Sequence, residues 1–368
     1  MLDTIYYYGV GSNHNFETSV YGGKLIKIPL FEALAKKGFK IKWIGWDCDD
    51  YKKNNYLDLL CLNANDFRLD ATHLVQQQYH SPEAYIKSVV KKYPGSIIIE
   101  LRPNIKKDGY NFENEWRIQL ELIDTFLELK LPVFIWDQDC WADQIPQKYR
   151  DKIILLRPYY NKADSSFTHQ AEFFYMWYVP RFDKKLERLA ENKIFDVMYC
   201  GNVYNRRDEF LQFLKPFDEA NKKVCVQGNW LRKKYNDRDF SLDNFPNFMF
   251  FGQTPHWATL PSIAMSKSVI HFANKEQQQA GLFTARIFEA LMGKSVLFCS
   301  NKISGIETIM PKELIVENGN DLYEKWEFID KHNLWVEMRN LFVNKLQTLE
   351  FSNTYRAEQF ARLVHKYT

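Results

Sequence analysis

Short apolar runs alternate along this chain with longer segments of helical period, the pattern of a parallel α/β architecture. The first run, Ile5 to Tyr8, leads into a glycine-containing loop, Gly9-Val-Gly11-Ser-Asn-His14, and then into Tyr21-Gly-Gly-Lys24. A helix through Phe31, Leu34 and Ala35 stops at Gly38, with Pro29 in its first turn or kinking it. Further strands are predicted from Ile41 to Ile44, Ile97 to Leu101, Pro132 to Trp136 and Ile153 to Leu156. Helices are predicted from Pro82 to Lys92 and from Glu113 to Leu129. The rest of the stretch from Asp47 to Pro94, with its Gln76-Gln-Gln78 run, shows no clear period.

The stretch from Tyr175 through Val179-Pro-Arg181 to Asn192 is charged and non-periodic, and reads as a passage between domains. The rhythm then resumes with strands at Val197 to Tyr199, Val224 to Val226, Met249 to Phe251, Val269 to Phe272 and Val296 to Phe298. A helix from Thr284 to Met292 is expected to end at Gly293 in the left-handed conformation. The last element, Thr354 to Tyr367, puts Ala357, Phe360, Ala361 and Val364 on one helical face.

Composition adds bounds. At 368 residues, 46% of them hydrophobic, the chain can hold two domains with separate cores. A formal net charge of +3 implies no nucleic-acid partner by itself, although a local basic face can hide in a balanced total. The six cysteines form no CxxC pair, which argues for a reduced compartment and against a zinc site or disulfide framework. The N-terminus has no leader pattern, and no apolar run approaches the ~20 residues of a membrane span. The expectation is a cytosolic protein.

Candidate chemistry gathers at predicted strand ends, where open α/β sheets bind ligands. Arg286 and Glu289 share a face of the helix in Thr284-Ala-Arg-Ile-Phe-Glu289. Arg286 offers a forked, permanent charge to a phosphate, and Glu289 can accept from two ribose hydroxyls. The plainer alternative is an intrahelical ion pair on a solvated face. Cys200-Gly201-Asn202 follows the strand at Val197 to Tyr199, with Arg206 and Arg207 at a helix start that suits an anionic diphosphate. Gly228 and Gly252-Gln-Thr254 follow two more strands, and the segment from Asn274 to Gly281, with Lys275 and Glu276, is expected to be a loop. In the first half Asp137 follows a strand directly, within Trp136-Asp-Gln-Asp-Cys-Trp-Ala-Asp143. Asp137 and Asp139 match a metal-holding DxD pattern, a short motif frequent by chance, and an acidic loop capping a helix stays open as the plainer reading.

From Phe195 to about Glu317 the chain resembles the nucleotide-binding half of the bacteriophage DNA β-glucosyltransferases, two-domain GT-B enzymes. Three segments carry the resemblance in order: Asp196-Val-Met-Tyr-Cys-Gly-Asn202 with Arg206, Phe250-Phe-Gly-Gln-Thr-Pro255, and Thr284-Ala-Arg-Ile-Phe-Glu289. It implies two Rossmann-like domains facing each other across a cleft, one over 1–180 for the acceptor and one over 195–345 for the donor. It also implies a C-terminal helix within 346–368 that returns to the first domain. By the same resemblance Asp137 takes the place of the general base, with Asp139 beside it. Gly201, Asn202, Arg206, Arg207 and Arg286 would hold the diphosphate and Glu289 the ribose. Gly228 and the backbone around Thr254 would meet the uracil, and Lys275, Glu276, His14 and Trp141 would face the sugar or acceptor.

Two departures stand out. Tyr204 stands near the place of a further family arginine, and Asn274, Lys275 and Glu276 replace an acidic sugar-contacting residue, which leaves the donor sugar open. The implied reaction is inverting transfer from a UDP-sugar to the hydroxymethyl group of 5-hydroxymethylcytosine in duplex DNA, by a monomer in a phage-infected bacterium. No tightly bound cofactor is implied, and Mg2+ or Mn2+ would at most assist product release. Basic runs at Lys36 to Trp43, Lys52-Lys53, Lys91 to Tyr93 and Arg232 to Tyr235 are candidate phosphate contacts. A carbohydrate or lipid-linked acceptor, or a non-catalytic nucleotide- or DNA-binding module, are the alternatives.

Overall fold

A computed structural model describes residues 3–8, 30–31, 33–44, 68–69, 82–102, 104, 106–107, 110–111, 113–138, 140–157, 166–172, 186–203, 206–231, 245–252, 256–348 and 353–367. The chain divides into two compact units. The first is Met1–Ser19, Gly23–Tyr175 and Asn353–Thr368, and the second is Val20–Gly22 with Met176–Ser352.

In the first unit the strands are β1 (Thr4–Tyr8), β2 (Lys40–Ile44), β3 (Arg68–Leu69), β4 (Gly95–Glu100), a small antiparallel pair β5 (Lys106–Lys107) and β6 (Tyr110–Asn111), then β7 (Val133–Trp136), β8 (Ile154–Arg157) and β9 (His169–Glu172). Apart from β5 and β6 they form one seven-stranded sheet in the order β3-β2-β1-β4-β7-β8-β9, with every pairing parallel. Such a sheet is covered on both faces, so its strands read as unbroken apolar runs. Every residue of β7 is buried. On one face the helices Pro82–Lys92 and Glu113–Glu128 lay Ile86, Val90, Ile118, Leu122 and Phe126 over Ile97, Ile99, Ile135 and Leu155.

On the other face lies the helix Asn353–Tyr367, which returns from the far end of the chain to this first unit. Ala357, Phe360 and Val364 are buried, and the Phe360 ring lies 4.9 Å from that of Phe134. Lys37 pairs with Glu358 at 3.0 Å, and Gln359 donates to the Glu172 carbonyl at 2.7 Å.

The second unit holds β10 (Phe195–Cys200), β11 (Val224–Gln227), β12 (Phe248–Phe250), β13 (Ser266–His271), β14 (Val296–Ser300) and β15 (Ile315–Val316). They form a six-stranded sheet in the order β12-β11-β10-β13-β14-β15, again with parallel pairings throughout. The order reverses between β10 and β13, and the carboxyl ends of those strands are where a doubly wound sheet opens a ligand crevice. Among the described residues no helix is long and apolar enough to cross a membrane.

Two local expectations are corrected. Gly293 has φ −82°, and Lys294 after it takes the left-handed conformation at φ 55°. Glycine is needed at 293 for space instead, because a Cβ there would fall 2.5 Å from Ile263 Cγ2 in the packed helix His256–Ala264. The segment from Asn274 to Gly281 is a capped helix rather than a loop. Asn274 accepts from the Gln277 amide at 2.8 Å, Lys275–Ala280 is helical, and Gly281 closes it at φ 68°.

Candidate functional site

At the carboxyl edge of the second sheet β10 ends in Cys200 and β13 in His271, and the register Tyr199↔Ile270 sets those two residues side by side. The segment after β13 passes through the helix Lys275–Ala280 to Thr284, at the N-cap position of the helix Ala285–Met292. On that helix Arg286 and Glu289 form an ion pair, with only 17% and 3% of their side chains exposed. The solvated surface pair considered from spacing alone is therefore not what forms. A carboxylate buried this deeply requires its cation, since losing the partner leaves an uncompensated charge.

Arg206 stands at the N-cap of the helix Arg207–Glu219. Its guanidinium donates to Gln277 Oε1 at 3.0 Å and to the Asn202 carbonyl at 3.3 Å, so it ties the loop after β10 to the helix Lys275–Ala280 after β13. Arg207 follows it, half-buried, in the first turn. His271 registers the resulting field. Burial first, then the charges of Arg286 and Arg206, press its pKa down to about 3, partly offset by Glu289. The imidazole is neutral at pH 7.

The neighbouring strand ends lock together. Gly201, half-buried after β10, accepts at its carbonyl from the Trp230 indole at 2.8 Å. Gly228 takes φ +145°, and a Cβ there would lie 2.0 Å from the Gly201 carbonyl oxygen, so only glycine fits. The Gly228 amide donates to the Gly252 carbonyl at 2.7 Å, and the Val203 amide to Asn229 Oδ1 at 2.8 Å. Asn202, Lys275 and Glu276 are exposed on this rim. Thr254 lies outside the described residues.

In the first unit Asp137 is fully buried at the carboxyl end of β7. Its Oδ1 accepts from the Trp141 amide at 2.8 Å and its Oδ2 from the Ala142 amide at 3.0 Å. The carboxylate thus holds the turn that opens the short helix Ala142–Gln144. Trp141 is half-buried against the core. Asp139 and His14 lie outside the described residues. Among the described residues no group of three or more His, Cys, Asp or Glu side chains is arranged to hold a metal.

Sequence reasoning passed over several polar groups here. Arg157 ends β8, buried, beside Asp137 by the register Trp136↔Leu156. Glu100 ends β4 and accepts from Tyr7 at 2.7 Å and from Arg102 at 2.9 Å. His271 ends β13. The strand-end rule points to Arg157, after the predicted strand Ile153 to Leu156, whereas Glu100 and His271 fall one residue inside the predicted ends at Leu101 and Phe272. Gln277 carried no signal beyond its place in the 274–281 segment.

The basic runs fall elsewhere. Lys40 opens β2 and pairs with Asp3 at 2.8 Å, Lys37 is engaged with Glu358, and Lys91 and Lys92 precede β4. These lysines stand at the amino-terminal ends of the strands, opposite to the end that carries Asp137. Lys52, Lys53 and 232–235 lie outside the described residues.

No family model matches the sequence, and no curated protein matches it. Solved structures do. T4 phage β-glucosyltransferase in complex with UDP and Mn2+ superposes with a TM-score of 0.63 at 14% identity, over 98% of this chain and 99% of that one. Anabaena Alr3699/HepE in complex with UDP superposes with a TM-score of 0.61 at 9% identity, over 99% of this chain and all of that one. Another structure of the T4 enzyme is described as that of a DNA modifying enzyme, and another of HepE contains UDP-glucose. At these identities the likeness establishes architecture alone. The chain has the GT-B fold, two parallel α/β units with the C-terminal helix returned to the first.

Proposed function

We propose that the chain is a glycosyltransferase that moves a sugar, glucose or a pentose such as arabinose, from a UDP-sugar to the hydroxymethyl group of 5-hydroxymethylcytosine in DNA. The observation that carries the donor half is the buried Arg286–Glu289 pair, with Arg206 on the same strand-end edge of the second sheet. Arg206, Arg207 and Arg286 hold the diphosphate, Glu289 accepts from the ribose, and Gly228 and the segment around Thr254 lie along the uracil. Asp137 takes the proton from the acceptor hydroxyl as its oxygen bonds to the anomeric carbon. The bond from that carbon to the β-phosphate oxygen breaks, and UDP leaves with the electron pair, stabilised by the arginines. The single displacement inverts the anomeric centre.

A carbohydrate acceptor is the second reading. It is favoured by the basic runs, which stand at the amino-terminal ends of the first sheet, opposite to the end that carries Asp137. Offering UDP-sugars with hydroxymethylated duplex DNA or with oligosaccharides separates the readings. Incorporation into DNA that Asp137→Asn abolishes supports the first. Saturable incorporation into a glycan without DNA binding supports the second, and UDP binding with no turnover of any donor supports a non-catalytic module.

A further inference from the structure

Thr284 occupies the N-cap of the helix Ala285–Met292 in the extended conformation, φ −83° and ψ 167°, from which a threonine hydroxyl ordinarily accepts a bond from the first-turn amides. It does not cap them. Its Oγ1 lies instead 3.3 Å from Nε2 of His271, the buried last residue of β13. The side chain that should close this helix end is thus turned to a neighbouring strand. The Thr284 carbonyl accepts from the Ile287 amide at 3.2 Å, but the side chain gives the first turn no bond. Arg286 lies in this same turn.

A neutral imidazole and a hydroxyl can share their bond in two ways. If Nε2–H donates to Oγ1, the threonine O–H is left to donate outward. If the threonine donates to Nε2, its lone pairs face outward and repel an anion. At a helix N-terminus beside Arg286 and Arg206, a phosphate selects the first arrangement.

We propose that His271 is a positioning residue for the donor's phosphates: it fixes the Thr284 hydroxyl as a donor to a diphosphate oxygen at the N-terminus of the Arg286 helix. The inference rests on the donor-site reading above and adds to it a neutral phosphate contact that the arginines do not provide. A charge-neutral donor of this kind recognises the phosphate without altering the balance of the Arg286–Glu289 pair.

Calorimetric titration of the full chain with UDP, beside saturation-transfer NMR with uridine, tests it. Thr284→Val and His271→Leu should each weaken UDP about 10- to 100-fold, the range of one hydrogen bond to a charged group. The double variant should be no weaker than either single one, because the two act as a unit. His271→Gln, which keeps an N–H near the Nε2 position, should bind UDP within about threefold of the unaltered chain, well inside that one-bond range. Uridine, which has no phosphate, should bind all four variants like the unaltered chain. Unchanged UDP affinity in His271→Leu, or parallel losses of UDP and uridine, would overturn the inference while leaving the donor site in place. Failure of the unaltered chain to bind UDP would overturn the donor reading and the inference with it.

Discussion

The Arg286 guanidinium is paired with the Glu289 carboxylate across one turn of helix, and the carboxylate side chain keeps only 3% of its surface exposed. Arg286→Met would remove the cation paired with that buried carboxylate, and should cost about 3–5 kcal/mol of stability. Adding Glu289→Leu should restore most of the loss while leaving UDP unbound. Thermal unfolding and UDP titration of the single and double variants check both halves. A loss under about 1 kcal/mol in the single variant would mean that the pair is solvated after all.

Asp137 accepts two backbone amides, one at each oxygen. Asn has one acceptor oxygen, so Asp137→Asn sets an NH2 against an N–H and should cost about 1–3 kcal/mol. Sugar transfer should fall at least about 100-fold, the lower range for loss of a general base. UDP affinity should not change. Reduced UDP affinity would point to a structural fault rather than to a missing base.

The depressed pKa of His271 makes stability depend on pH. Between about 6.5, its ordinary value, and about 3, the unfolded chain takes up a proton at this residue and the folded chain does not. Protons therefore favour unfolding across that window, and the contribution of this residue to stability falls as the pH drops below about 6.5. His271→Gln should remove this part of the dependence. Denaturant unfolding at pH 7 and pH 5 should show a smaller loss for the variant than for the unaltered chain.

Phe360 is fully buried on the returning helix, 4.9 Å from the Phe134 ring. Phe360→Ala should cost about 3–5 kcal/mol, the usual range for emptying such a site. Hydrogen exchange should rise in β7 and in the helix Asn353–Tyr367, and stay unchanged in β10 to β14.

The apolar runs were legible because strands buried on both faces leave little choice of residue. The helix Pro82–Lys92 matches its sequence prediction, and the ends of β1 and β7 fall where predicted. β9 was missed because His169-Gln-Ala-Glu172 is a half-exposed edge strand with no apolar run, and β3 and β15 are two residues long. The helices Gly319–Lys331 and Trp335–Thr348 also went unpredicted. At the candidate site, Arg286, Glu289, Arg206 and Asp137 were singled out by spacing, strand ends and resemblance. The bond between Thr284 and His271 was not, because it depends on how the helix docks against β13, which no local pattern records. Gly293 shows the same limit. Its position after the helix suggested a left-handed cap, whereas the constraint comes from Ile263 on another helix.

The most direct test of the central claim is mass spectrometry of nucleosides after the protein has been incubated with hydroxymethylated duplex DNA and a panel of UDP-hexoses and UDP-pentoses. The account predicts that hydroxymethylcytosine gains the mass of one sugar with one of these donors, and that Asp137→Asn abolishes the gain. No gain with any donor, from a chain that binds UDP, would contradict the DNA acceptor.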